Sequence, residues 1–112
     1  MNISGSISGL TIGTEHGVYI TLTTPIDGKV YQKLIFGNGV HGCPGITNKH
    51  RAGDLGNFTS DKSGQLDVEG ELKDVHVSEI LGRNLVIVKD KDTCEPGFNS
   101  EILTSSVIAV NK

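Results

Sequence analysis

Apolar and polar residues alternate along most of this chain. In "ISGSISGLTI" (Ile3 to Ile12) apolar residues are separated by small polar ones, the pattern of a half-buried strand. "GVYITLTT" (Gly17 to Thr24) sets Val18, Ile20 and Leu22 on one face and Tyr19, Thr21 and Thr23 on the other. Pro25 and the Asp27-Gly28 pair then mark a turn into "KVYQKLIF" (Lys29 to Phe36), a further strand. From Gly37 to Asn57 the alternation dissolves into a glycine-rich loop, a length that usually carries function or its relics. "GNFTSDKSGQLDVEGEL" (Gly56 to Leu72) reads as strand, turn at Asp61 to Gly64, strand. "RNLVIVKD" (Arg83 to Asp90) is a nearly continuous apolar strand, and "LTSSVIAV" (Leu103 to Val110) is the last. Only "DVHVSEIL" (Asp74 to Leu81) offers helix, and its β-branched valines limit that to a turn or two.

The pattern predicts an all-β domain spanning 1–112, a β-sandwich or flattened Greek-key barrel of six to eight strands. Fifteen glycines supply its turns, and 36% hydrophobic residues suffice for one core. A net charge of -3, with lysines and arginines scattered, excludes the basic patch that nucleic acid requires. No apolar run reaches membrane-spanning length, and the first residues lack a basic, then apolar, leader. The expectation is a cytoplasmic protein, or a secreted one whose leader has been removed. No Ser-His-Asp motif, phosphate-binding glycine loop or spaced carboxylate pair marks another enzyme class. Cys43 and Cys94 either close one long loop, which would stabilise by ~3–4 kcal/mol, or remain free thiols.

Four segments in order resemble the copper/zinc superoxide dismutase family. They are "GSISGLTIGTEHG" (Gly5 to Gly17), "GDLGNFTSDKSG" (Gly53 to Gly64), "LGRNLVIV" (Leu81 to Val88) and "SSVIAV" (Ser105 to Val110). The resemblance implies that family's immunoglobulin-like Greek-key sandwich, with the first two of its eight strands missing or replaced. Unpaired edges invite partners, and "TTPIDGKVYQKLIF" (Thr23 to Phe36) would fold as a hairpin over part of the opening, unless another chain covers it.

Departures from the family gather at its chemistry. Its copper pair, His-x-His after His-Gly-Phe, corresponds to Tyr19 and Thr21, and its further copper histidine to Val88. Copper prefers imidazole nitrogen, so copper is not expected here. The arginine that guides superoxide corresponds to Ile102. His16 corresponds to a structural histidine that anchors a loop, and Asp92 falls near an outer aspartate that links the two metal sites; without a copper histidine, Asp92 reads as a solvated loop charge. His76 reads as exposed. On the zinc side, Asp54 matches the family aspartate, but Arg51 stands at the histidine position, one residue after His50. His41, His50 and Asp54, with Cys43 nearby, are therefore zinc candidates, set against exposed loop histidines and an aspartate bonded to local backbone. Cys43 resembles the family's loop cysteine, whose partner position is Ser105; Cys94, in a neighbouring loop, is the replacement candidate.

The family's dimer contact corresponds to Leu81, Gly82 and Arg83 with Val107 and Ile108 of the terminal strand, of which strand spacing alone would assign Leu81, Val107 and Ile108 to the core. The resemblance thus implies a metal-stripped, catalytically inactive binding, decoy or dimerisation module. It is similar in kind to viral dismutase-like proteins and to chaperone domains that mimic their client. Its partner would be itself, another superoxide dismutase-like chain or a copper chaperone, with neither nucleic acid nor membrane. Alternatives are a zinc-binding structural protein and a dismutase with an atypical metal site.

Overall fold

The computed structural model describes residues 2–23, 28–30, 34–37, 50–72, 75–95 and 98–109. Among them are seven strands and one helical turn: β1 (Asn2–Ile7), β2 (Glu15–Thr21), β3 (Lys29–Val30), β4 (Asp54–Thr59), β5 (Leu66–Glu71), α1 (Val77–Ile80), β6 (Asn84–Val88) and β7 (Ser100–Val107). They form two antiparallel sheets, β1-β5 and β3-β7-β6-β2-β4. This is the all-β sandwich that the alternation predicts.

β2 lies between β4 and β6, so both of its edges are paired, and clusters on both faces leave His16 to Thr21 all buried. One face carries Val18 and Ile20 into an aliphatic core with Ile3, Leu66, Val68, Leu72, Ile80, Leu85 and Ile87, which joins the two sheets. The other carries Tyr19 into a second, smaller cluster with Ile35, Val86 and Val88. Leu22 does not continue the first face: it lies beyond the strand end and is partly exposed.

The β4–β5 turn forms as read. Asp61 Oδ1 accepts from the Ser63 amide at 2.8 Å, the Ser63 hydroxyl at 2.7 Å and the Gln65 amide at 3.0 Å, holding its carboxyl below the usual range. Gly64 has φ +79°, and a Cβ there would sit 2.5 Å from the Leu10 carbonyl oxygen, so the turn requires glycine on both counts.

The expected hairpin over Thr23 to Phe36 is corrected in its pairing. β3 is a two-residue strand that pairs with β7, Lys29 opposite Glu101. Leu34 to Phe36 return along the end of β2 instead, with a bridge between Thr21 and Ile35 and a Phe36 amide that donates to the Ile20 carbonyl at 2.8 Å. The segment thus adds an edge to the larger sheet beside β7 and closes the far end of β2. Alternation does not report which neighbour a strand takes.

Candidate functional site

The positions that the resemblance aligns with copper ligands come together on the Tyr19 face of the five-stranded sheet. Tyr19, Thr21 and Val88 have no exposed surface, and Ile102 and Phe98 pack against the same cluster. Tyr19 leans back along β2 over Gly17, where a Cβ would lie 2.6 Å from the phenol oxygen. Glycine at that place is what lets the ring lie flat across the strand.

From there the Tyr19 hydroxyl donates to Asp92 Oδ2 at 2.6 Å. Asp92 is 1% exposed, which corrects the reading of it as a solvated charge. The reason is that every part of this residue is bonded inward. Its amide donates to Asn57 Oδ1 at 2.7 Å, its carbonyl accepts from Asn57 Nδ2 at 2.9 Å, and Oδ1 accepts from the Cys94 amide at 2.8 Å. A buried carboxylate is tolerated when its lone pairs are met in this way. Burial first, then the hydrogen bond to Asp92, then the charges of Asp92 and Asp54, push the Tyr19 phenol far above its ordinary pKa. The side chain is therefore a neutral donor locked on its acceptor.

The other donors nearby are also committed. Thr21 gives its hydroxyl proton to the Thr23 carbonyl at 3.0 Å. His16 is buried; its Nδ1 donates to the Val88 carbonyl at 2.9 Å, and its Nε2 lies 2.7 Å from Thr14 Oγ1. It ties the start of β2 to the end of β6, a structural role. Cys94, at φ +65°, is disulfide-bonded, while the chain's other cysteine, Cys43, lies outside the described residues.

Of the zinc candidates, His41 lies outside the described residues. His50 is half-buried, with Nδ1 donating to the Arg51 carbonyl at 2.8 Å, which leaves the ring lone pair on Nε2. Asp54 is buried opposite Tyr19 in the β2–β4 pairing, and Arg51 donates to the Gly37 carbonyl at 2.8 Å. Among the described residues no group of three or more His, Cys, Asp and Glu side chains is gathered as a metal site. His76 is exposed at the start of α1, its amide donating to Glu79 Oε1 at 2.9 Å.

The five interface candidates form one unit. Gly82 donates to the Ile108 carbonyl at 3.1 Å, and Ile108 donates to the Arg83 carbonyl at 2.8 Å. Ile108 packs on the main core, whereas Leu81 and Val107 are 42% and 66% exposed, so these two are surface rather than core. Arg83 is held inward: Nε donates to the Glu79 carbonyl at 2.8 Å, Nη1 to the Leu22 carbonyl at 3.1 Å, and its guanidinium lies over the Phe36 ring at 5.5 Å.

The profile described as copper/zinc superoxide dismutase (SODC) matches residues 1–106. The chain belongs to the copper/zinc superoxide dismutase family. Its fold is also that of a SOD-like protein from Bacillus subtilis, solved as a proline-to-histidine variant. The two are 21% identical over 96% of this chain and 81% of that one, with a TM-score of 0.72. Within the family frame, the resemblance singled out Tyr19, Thr21 and Val88 but not the hydrogen-bond network around Tyr19. Gly17 and Asn57 lie in segments that carry the resemblance, but nothing in those segments marked them as neighbours of Tyr19 and Asp92, and Asp92 was legible only as a position.

Proposed function

We propose that this chain is a catalytically inactive member of its family, acting as a binding, decoy or dimerisation module. The observation that carries the reading is the Tyr19–Asp92 hydrogen bond inside the cluster of Ile35, Val86 and Val88. These residues do not fit a copper ion. The Val88 side chain has no donor atom, the Tyr19 phenol is held neutral with its O–H donated to Asp92, and the Thr21 hydroxyl is spent on Thr23. Apolar packing and the buried Tyr19–Asp92 hydrogen bond contribute to the cohesion here, each buried apolar side chain adding roughly 1.5–3 kcal/mol. With chemistry given up, the frame and its exposed Leu81 and Val107 remain for recognition, by a second copy, another superoxide dismutase-like chain or a copper chaperone.

The test offers the purified chain excess copper and zinc, dialyses it, and measures bound metal by elemental analysis beside superoxide consumption. The expected result is no retained copper and no dismutation above buffer. Stoichiometric copper would overturn the proposal. The partner half is read by sedimentation of the chain alone and mixed with a family dismutase. A complex lost on Leu81→Asp with Val107→Asp supports the edge, and an unchanged complex rejects it.

A second reading, a zinc-binding structural protein, is favoured by the buried Asp54 and by the His50 tautomer, whose Nε2 lone pair suits a metal. About one zinc per chain in the same assay, lost on His41→Ala, His50→Ala or Asp54→Ala, would establish it.

A further inference from the structure

The small sheet has two unlike edges. β5 runs near β4, to which the Asp61–Gln65 turn joins it, whereas β1 pairs with no strand but β5 among the described residues. Strand Asn2–Ile7 therefore presents one side of its backbone as an edge, the arrangement on which a further strand adds.

The faces of this sheet specify what would add. Inward, Ile3, Leu66 and Val68 belong to the main core and Ile7 packs against it. Outward, the register sets Asn2 beside Glu71, Ser4 beside Glu69 and Ser6 beside Asp67, all six exposed. Neither strand contains a lysine or arginine to balance these carboxylates. Asp67 has a neutral partner, Gln65 Nε2, at 2.8 Å. An open hollow of about 480 Å³, lined by Asn2, Ile3, Ser4, Glu69 and Gly70, lies over the same pair of strands.

We propose that β1 receives an extended segment of a partner protein in which apolar residues alternate with lysine or arginine. Backbone pairing with β1 would supply the affinity, and inward apolar residues would extend the core beyond Ile3 and Ile7. The outward residues select the partner. A strand beside β1 lies two strand spacings, about 9.6 Å, from β5, and only short side chains stand between. A long basic side chain laid across Ser4 or Ser6 reaches Glu69 or Asp67, which an acidic or neutral strand would leave unbalanced. A second copy of this chain joined through β1 would bring three more carboxylates to the same face, so charge disfavours it. This surface is separate from the Leu81 and Val107 edge and does not depend on the metal reading.

The experiment uses the full chain and two blocked octapeptides, one alternating lysine with valine and one alternating glutamate with valine. Binding is followed by titration, and the site by NMR amide exchange. The expected result is saturable binding of the lysine peptide alone, with slowed exchange of those β1 amides that point away from β5. Binding should weaken roughly tenfold on Glu69→Lys with Glu71→Lys, exposed substitutions that leave the core intact, and should also weaken with salt. Three results would each overturn the proposal: equal binding of both peptides, no change at the β1 amides, or β1 amides already protected in the free chain. In the last case, protection that fades on dilution would assign the edge to a second copy.

Discussion

The two faces of β2 are equally dry and held together differently. On one, Val18 and Ile20 meet other aliphatic side chains, and any shape of about the right volume would serve. On the other, Tyr19 has one oxygen that must find one acceptor, and finds it on Asp92, 73 residues along the chain. The first face loses stability in proportion to the volume removed. The second loses it according to which partner is left unmet.

That contrast predicts its own largest test. Ile20→Ala, at a position with no exposed surface, should cost about 2–5 kcal/mol, read from the shift in denaturant midpoint. Combined with Asp92→Asn, the two costs should add to within about 0.5 kcal/mol, as for sites with no shared partner. A larger coupling would mean that the faces are not separate units.

Tyr19→Phe comes next. It leaves the Asp92 carboxylate buried without its 2.6 Å donor, a loss of about 1.5–3 kcal/mol although almost no volume changes. Here additivity should fail, and the Tyr19→Phe, Asp92→Asn double variant should cost clearly less than the sum of the single ones. If the sum is met, the hydrogen bond contributes nothing and the second face is ordinary packing. Gly17→Ala asks the same of geometry. Its methyl would meet the phenol oxygen at 2.6 Å, an overpacking cost of about 1–3 kcal/mol. In a Tyr19→Phe background the cost should fall, because the nearest ring atom is then 3.1 Å away. Equal costs in both backgrounds would place the strain in the backbone instead.

The same contrast explains what could be read from residues alone. Period-two alternation located β1, β2 and β5, because a pleated strand turns every second side chain to the same face, and a nearly continuous apolar run located β6, which is buried at every position. The Asp61 turn was legible because its hydrogen bonds are local. Family resemblance then drew attention to Tyr19, Thr21 and Val88, the positions it aligns with copper ligands. It did not foretell that Asp92 is buried, since the groups that meet it lie on β2, on β4 and two residues further along its own loop. Nor did it give the partner of β3, two residues that carry no register of their own. A charged residue in a polar loop reads as solvated until its distant acceptors and donors are known.

The smallest effect is graded rather than all-or-none, and it separates the two faces by pH. Burial, the Asp92 hydrogen bond and the charges of Asp92 and Asp54 hold the folded Tyr19 proton well above the ordinary value of 10.0. Above that value the unfolded chain releases a proton that the folded chain keeps. The unfolded state then binds fewer protons, and stability must fall as pH rises, by about 1.4 kcal/mol per pH unit for this one group. Below it both states hold the proton and the contribution is flat. Phenylalanine does not titrate, so the advantage of the natural chain over Tyr19→Phe should shrink once the pH passes the ordinary value. A gap of about 1.5–3 kcal/mol would close within roughly one to two pH units. Ile20→Ala should keep its full deficit over the same range, since nothing it removes ionises. Parallel curves for the natural chain and Tyr19→Phe would mean that the phenol ionises in place, and that the second face admits charge.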